Sequence, residues 1–391
     1  MDPQMLFSPE SSVLPAPYWF IEFFKVLGFT LHTVPMNLWF AGTMTAMILA
    51  VVGTAEGRRF SRRLMMQMPV IIAFGINFGI VPLLFIQVAF YKAFFPATIL
   101  TAWFWMAIIG LLIFAYYGVY IYASGLRGEM GEPHASAGTP TSSTGLTGWK
   151  VAAGWVSAVL FIIMGWLFSN GFSLMENTQA WPELLAAHHV AGAATGTASN
   201  AADPALWARW LMMFSLALLT TSAWIRFDAA WLTTGDSQDT AAYRRWAAGF
   251  APKLATAGLL GFAAMGSWYV FGTWSDTLFD RMFSGGLLLL TLLTAAAPGL
   301  TWLVLVVGWK RSDGVLFATG ALLAQVVVLA VNAISRQVVQ RLELQPMMDP
   351  LSQPVATQWG PITMFLGTFV LGAIVIGWML VQAVAATRPA R

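Results

Sequence analysis

His32 is the residue in this chain best equipped for chemistry. It lies in GFTLHTVPMNLWFAG, inside a long apolar stretch. An imidazole there can bind haem iron, hydrogen-bond a quinone, or bond a neighbouring helix, and all three readings stay open. Pro35, three residues on, removes a backbone donor and can kink the helix, making room beside the ring. Met282, in FDRMFSGG, carries a thioether that can ligate haem iron. The chain has 20 methionines, however, and such side chains usually fill irregular apolar gaps. Arg336 and Gln337, in NAISRQVVQ, close another apolar run. Arg336 can snorkel to the interface or pair with a propionate or a quinone oxygen.

The remaining polar groups have more ordinary readings. In FGINFG, residues 74–79, Gly75 and Gly79 stand four apart on one helix face, the spacing that lets two helices approach closely. Asn77 sits between them, and Gln87 follows ten residues later, facing a pocket or another helix. Arg226 and Asp228 are too close in sequence to face each other across a helix. Glu176, Glu183, His188 and His189 carry donors for a metal or a proton relay, but the Ala-, Gly- and Thr-rich segment around them predicts a solvated loop.

These groups must be positioned inside a membrane. The chain is 58% hydrophobic and only 9% charged, with mean hydropathy +0.70, whereas a soluble domain is about a quarter charged. It has no cysteine, which excludes disulfides, thiolate catalysis, iron–sulfur clusters and covalent c-type haem attachment. No basic patch with interleaved aromatics points to nucleic acid. Apolar runs predict an all-α, polytopic transmembrane bundle of about nine helices, a single integral membrane domain over 1–391. The spans are expected at 18–52, 67–92, 97–124, 150–175, 206–232, 249–273, 282–307, 313–335 and 358–384. Arg58, Arg59, Arg62, Arg63, Arg127, Arg244, Arg245, Lys310, Arg311, Arg388 and Arg391 then fall on one side. The positive-inside rule makes that side cytoplasmic, with the N-terminus outside and the C-terminus inside. Segment 128–147 reads as a flexible cytoplasmic linker, and 176–205 and 336–357 as extracytoplasmic loops. None is long enough for a soluble catalytic domain, so any chemistry sits in the bundle, at its rim or in a partner.

Several segments together resemble the large subunit of cytochrome bd quinol oxidases. LHTVPMNLWFAG (31–42) is similar to that family's first-helix histidine segment, and FGINFGIVPLLFIQV (74–88) to its second-helix motif with a following glutamine. SNG (169–171), containing Asn170, matches an Asn-Gly at the end of the fourth helix. FDRMFSGGLLLL (279–290) resembles the segment carrying a haem-ligating methionine, and SRQ (335–337) a Gly-Arg-Gln. The resemblance implies haem-iron ligand positions at His32 and Met282, and it implies a nine-helix fold with the N-terminus outside.

The departures are as informative. ARWLMMFSLAL, around Leu211 and Met212, stands where the partner histidine is expected. ILTAWFWMAIIGLLIFAYY lacks the expected acidic residues, VNAIS replaces a glutamate, and only GTWSDTLFDR remains of a long quinol-binding loop. The expectation is a membrane-integral subunit of a respiratory electron-transfer complex in the bacterial inner membrane, not a complete oxygen reductase. It would contact quinol or quinone and pass electrons through partner cytochromes, among them a cytochrome c. Haem b, quinone or no intrinsic cofactor all remain open. The alternatives are a haem-free structural anchor for a cytochrome complex, or a transporter, for which no internal repeat is visible.

Overall fold

The computed structural model describes residues 13–131, 148–233, 238–311 and 314–386, so the expected linker at 128–147 lies outside the described residues from 132 onward. The helices are α1 (Tyr18–Val52), α2 (Ala55–Ala89), α3 (Tyr91–Leu100), α4 (Ala102–Gly131), α5 (Gly148–Glu176), α6 (Trp181–Ala187), α7 (Pro204–Leu232), α8 (Gln238–Thr273), α9 (Asp276–Met282), α10 (Gly285–Val307), α11 (Val315–Leu344) and α12 (Trp359–Ala386). Among the described residues nine of these are long and apolar enough to cross a bilayer; α3, α6 and α9 are short connectors. A two-residue hairpin, β1 (His189–Val190) with β2 (Ala193–Ala194), decorates the connection between α5 and α7. The protein is a polytopic, all-α membrane bundle.

Several helix ends differ from the sequence expectation, because hydropathy reports only the part of a helix that lies in hydrocarbon. The α2 helix begins at Ala55, so the four arginines expected in a loop belong to its first turns. The Thr54 hydroxyl caps that end by accepting from the Gly57 N–H. Arg244 and Arg245 likewise lie inside α8. The expected third span is split: α3 stops at Leu100 and α4 starts at Ala102. The seventh starts three residues later than expected, because Met282 ends a separate short helix, α9, capped by Ser275, and Gly285 at φ 52° turns the chain into α10. Residues 336–344, expected in a loop, continue α11. They carry charge because that end of α11 is buried against other polar side chains.

A polar cluster fixes one end of the bundle, and a backbone pairing ties the other. At one end Asp228, 1% exposed, accepts from Arg63 Nε at 2.7 Å, Gln67 Nε2 at 3.0 Å and Tyr243 OH at 2.7 Å. Arg59 donates to the Asp239 carbonyl, and Arg226 to the Arg311 carbonyl. These bonds tie α2 to the α7–α8 corner and α7 to the α10–α11 corner, so the arginines share one end. Asp228 pairs with Arg63 rather than with its chain neighbour Arg226. At the opposite end the lead-in to α1 pairs with the α11–α12 connection, Leu14 N–H donating to the Pro354 carbonyl and Ala356 N–H to the Leu14 carbonyl.

Close packing of α1 on α2 depends on glycine. A Cβ on Gly75 would stand 2.2 Å from the Trp39 ring, and one on Gly79 would stand 2.8 Å from the His32 ring. Pro35 is accommodated without breaking α1, which runs on through a π-helical stretch at Leu38–Gly42. By contrast, α12 buries no residue of its apolar stretch; it is held near its start, where Phe365 packs edge-on to Phe24 and Phe85. Gly75→Ala is expected to destabilise the protein by about 1–3 kcal/mol through overpacking. The thermal midpoint of the purified chain measures this, and an unchanged midpoint would contradict the packing account.

Candidate functional site

A cavity of about 370 Å³ opens in the half of the bundle away from the arginine-rich end. Residues from α1, α5, α7, α8, α10 and α11 line it, including Phe29, Phe172, Met212, Tyr269, Asn332 and Arg336. That size and its mainly apolar walls suit a small amphipathic molecule.

Its floor is a satisfied polar network. Asn37 Nδ2 donates to Thr220 Oγ1 at 2.8 Å, and Gln325 Nε2 donates to the same oxygen at 3.0 Å. Thr301 Oγ1 donates to Gln325 Oε1 at 2.9 Å. Four spans, α1, α7, α10 and α11, meet in this network. Unpaired amides in hydrocarbon are costly, so the network locks the relative positions of these helices.

Its upper wall carries charge. Glu176 and Arg209 form an ion pair, with the side chains 5% and 13% exposed. Gln340 Nε2 donates to Glu176 Oε1 at 2.8 Å, and the Arg209 guanidinium lies 5.7 Å from the Tyr269 ring centre. Arg336 lies beside this pair with its guanidinium 4.8 Å from the Phe29 ring centre and 5.5 Å from that of Phe172. Among the described residues no hydrogen bond reaches the Arg336 guanidinium, although it lines the cavity. The neighbouring buried oxygens Gln337 Oε1, Gln340 Oε1 and Glu343 Oε2 also lack partners there. Asn332, Arg336, Gln340 and Glu343 stand three or four apart, so one face of α11 is polar from the cavity to the helix end.

The residues singled out from sequence are distributed differently. His32 Nδ1 donates to the Gly75 carbonyl at 2.7 Å, and its ring meets Trp39 edge-on. It faces α2 and does not line the cavity. The Nδ1 bond leaves Nε2 as an acceptor, as in many metal-binding histidines. Met282 has 0% accessible surface and packs against Leu278 and Val339. His32 and Met282 thus sit in different parts of the bundle, one against Gly75 and Trp39, the other against Leu278 and Val339.

Asn77 is exposed on α2 and donates to the Ala73 carbonyl, while Gln87 is half-buried. Asn170 is fully buried, and its Oδ1 accepts from Ser199 Oγ and the Asn200 N–H, pinning the connection between α5 and α7. His188 bonds Thr197 and His189 is exposed on the hairpin. Among the described residues no three His, Asp or Glu side chains gather to hold a metal ion.

Glu176 is a correction: it was expected in a solvated loop but is buried in the charged wall, because α5 extends to it. Arg209, Gln340 and Glu343 were not singled out from sequence. The available signals were Arg209, a lone cation in an apolar run, and the helical spacing of 336, 340 and 343. A helix expected to stop at 335 hid the second.

No model of a known protein family matches this chain, and no curated protein sequence matches it. The likeness to the bd large subunit thus stands on the short motifs quoted above, while the membrane-spanning helical bundle stands on the structure.

Glu176→Gln removes the charge that compensates Arg209 in a nearly closed site. Breaking a buried pair in this way costs about 3–5 kcal/mol, so a clear fall in thermal midpoint is expected. A midpoint equal to that of the unaltered protein would contradict the compensating role.

Proposed function

We propose that this chain is the membrane-integral subunit of a respiratory electron-transfer complex, and that its cavity takes a quinone or quinol. The observation that carries this reading is Arg336, a cation enclosed by two phenylalanine rings, facing a mainly apolar cavity, with its N–H groups unused among the described residues. A quinone offers what this wall lacks: a carbonyl oxygen to accept from the guanidinium and an apolar ring to fill the space. Asn332 and Ser335, also on the wall, supply further polar groups for the head.

Quinol oxidation releases two electrons and two protons. In this reading the electrons pass to the haem of a partner cytochrome, such as a cytochrome c or another membrane subunit. The protons leave along the polar face of α11 toward Glu343. Clustering of arginines at the other end of the bundle supports that end as cytoplasmic, with the N-terminus outside; the setting we propose is a bacterial inner membrane.

The haem-free anchor reading draws on a different observation, the unburied length of α12, which leaves a whole helix free for contact with another subunit. One preparation separates the two. Purification with native partners is followed by solvent extraction and a reduced-minus-oxidised spectrum. Bound quinone, with haem signals belonging to partners, is the expected result. Stable partners with no extractable quinone would favour the anchor. In the purified chain, Arg336→Gln is expected to weaken quinone binding at least about tenfold, equivalent to about 1.4 kcal/mol. An unchanged affinity would remove Arg336 from the site.

A further inference from the structure

We propose that the ligand reaches this cavity sideways, from the hydrocarbon of the membrane, through a slot between α8 and α10. The inference rests on the cavity being a ligand site. Ala263, Ser267 and Phe271 of α8 line the cavity and are also exposed. They stand four apart, so they form one stripe along the helix. Leu292 and Ala295 do the same on α10. Phe271 is 71% exposed and Leu292 53% exposed, so the wall between cavity and surroundings is open along this seam.

The seam is at membrane depth. Leu292 lies seven residues from the start of α10 at Gly285, and Ala263 ten residues from the end of α8 at Thr273. At 1.5 Å per residue these positions are about 10 Å and 15 Å along their helices. Surface exposed at that level of a bilayer-spanning helix meets acyl chains rather than water. Below the slot the same two helices are pinned together, Trp302 Nε1 donating to Thr256 Oγ1 at 2.9 Å. Above it, Phe271, Phe279 and Phe283 gather their rings, Phe279 and Phe283 stacking at 4.4 Å between centres. The slot therefore has a fixed floor, small Ala and Ser side chains along its sides, and an aromatic lip.

This geometry defines a ligand class: a lipid-soluble amphiphile with an oxygen acceptor in its head. The head reaches Arg336 and the tail lies in the slot, continuous with the bilayer. A quinone and a phospholipid share that chemistry.

The native chain has no cysteine, which makes a clean test possible. Phe271→Cys/Leu292→Cys is placed in the full chain, reconstituted in phosphatidylcholine nanodiscs, and bridged with a reducible bismaleimide. Association of a short-tailed benzoquinone is followed in bridged and unbridged samples, and again with phosphatidylglycerol added as competitor. Bridging is expected to slow association at least tenfold, and cleavage of the bridge to restore it. An unchanged rate with the bridge confirmed by mass would overturn the slot while leaving the cavity as a site. If neither benzoquinone nor phosphatidylglycerol binds the unbridged protein, the site itself fails and the slot with it. Displacement of benzoquinone by phosphatidylglycerol identifies the phospholipid as a source of the head; lack of competition identifies the quinone. Phe271→Ala, which thins the lip without a cross-link, is expected to speed association, and a slower rate would also overturn the slot.

Discussion

A charge inside a bilayer has to be neutralised, hydrogen-bonded or held for something that will do so. The two ends of the bundle meet that requirement differently. At the arginine-rich end it is met completely around one carboxylate: Asp228 takes bonds from Arg63, Gln67 and Tyr243, and in doing so fixes α2 against the corner between α7 and α8. At the other end it is met only in part. Glu176 holds Arg209 and Gln340, while Arg336, within reach of the Glu176 charge, has only two phenylalanine rings against its guanidinium. Cation–π contact of about 0.5–2 kcal/mol tempers the cost of that arginine without replacing hydrogen bonds. In the proposed reading, this difference separates a structural end from one where a ligand completes the hydrogen bonding.

Packing explains why the cavity exists between the two ends instead of collapsing. The Asn37–Thr220–Gln325–Thr301 network holds four spans at fixed separations under the cavity. Gly75 and Gly79 let α1 lie directly on α2, so the indole of Trp39 and the Nδ1 edge of His32 face that contact. His32 is thereby turned away from the cavity, and Met282 is walled into a separate cluster with Leu278 and Val339. His32 and Met282 thus pack against neighbouring side chains, while Arg336, at the end of an apolar run, lines the open space.

How much of this was legible in the sequence follows from the same physics. Hydropathy located nine spans because about 20 apolar residues are needed to cross the hydrocarbon core. It misjudged α2, α8 and α11 because helices continue past the hydrocarbon wherever polar side chains find partners, and those partners lie far away in the chain. Arg63 and Asp228 are 165 residues apart; Glu176 and Gln340 are 164 apart. The glycine spacing in FGINFG pointed to close helix approach without naming Trp39 and His32 as the side chains that need it. The seam between α8 and α10 had no sequence signal beyond small residues at a spacing of four, a pattern that also marks tight packing.

The central claim is that Arg336 completes its hydrogen bonding with a ligand head inside the cavity. A cryo-electron microscopy map of the full chain, purified with its native partners in lipid nanodiscs, tests it most directly. The account predicts elongated density in the cavity, with a head within hydrogen-bond distance of the Arg336 guanidinium and a tail leaving between α8 and α10. Side chains closed over the cavity, with Arg336 instead paired to Glu343, would contradict it.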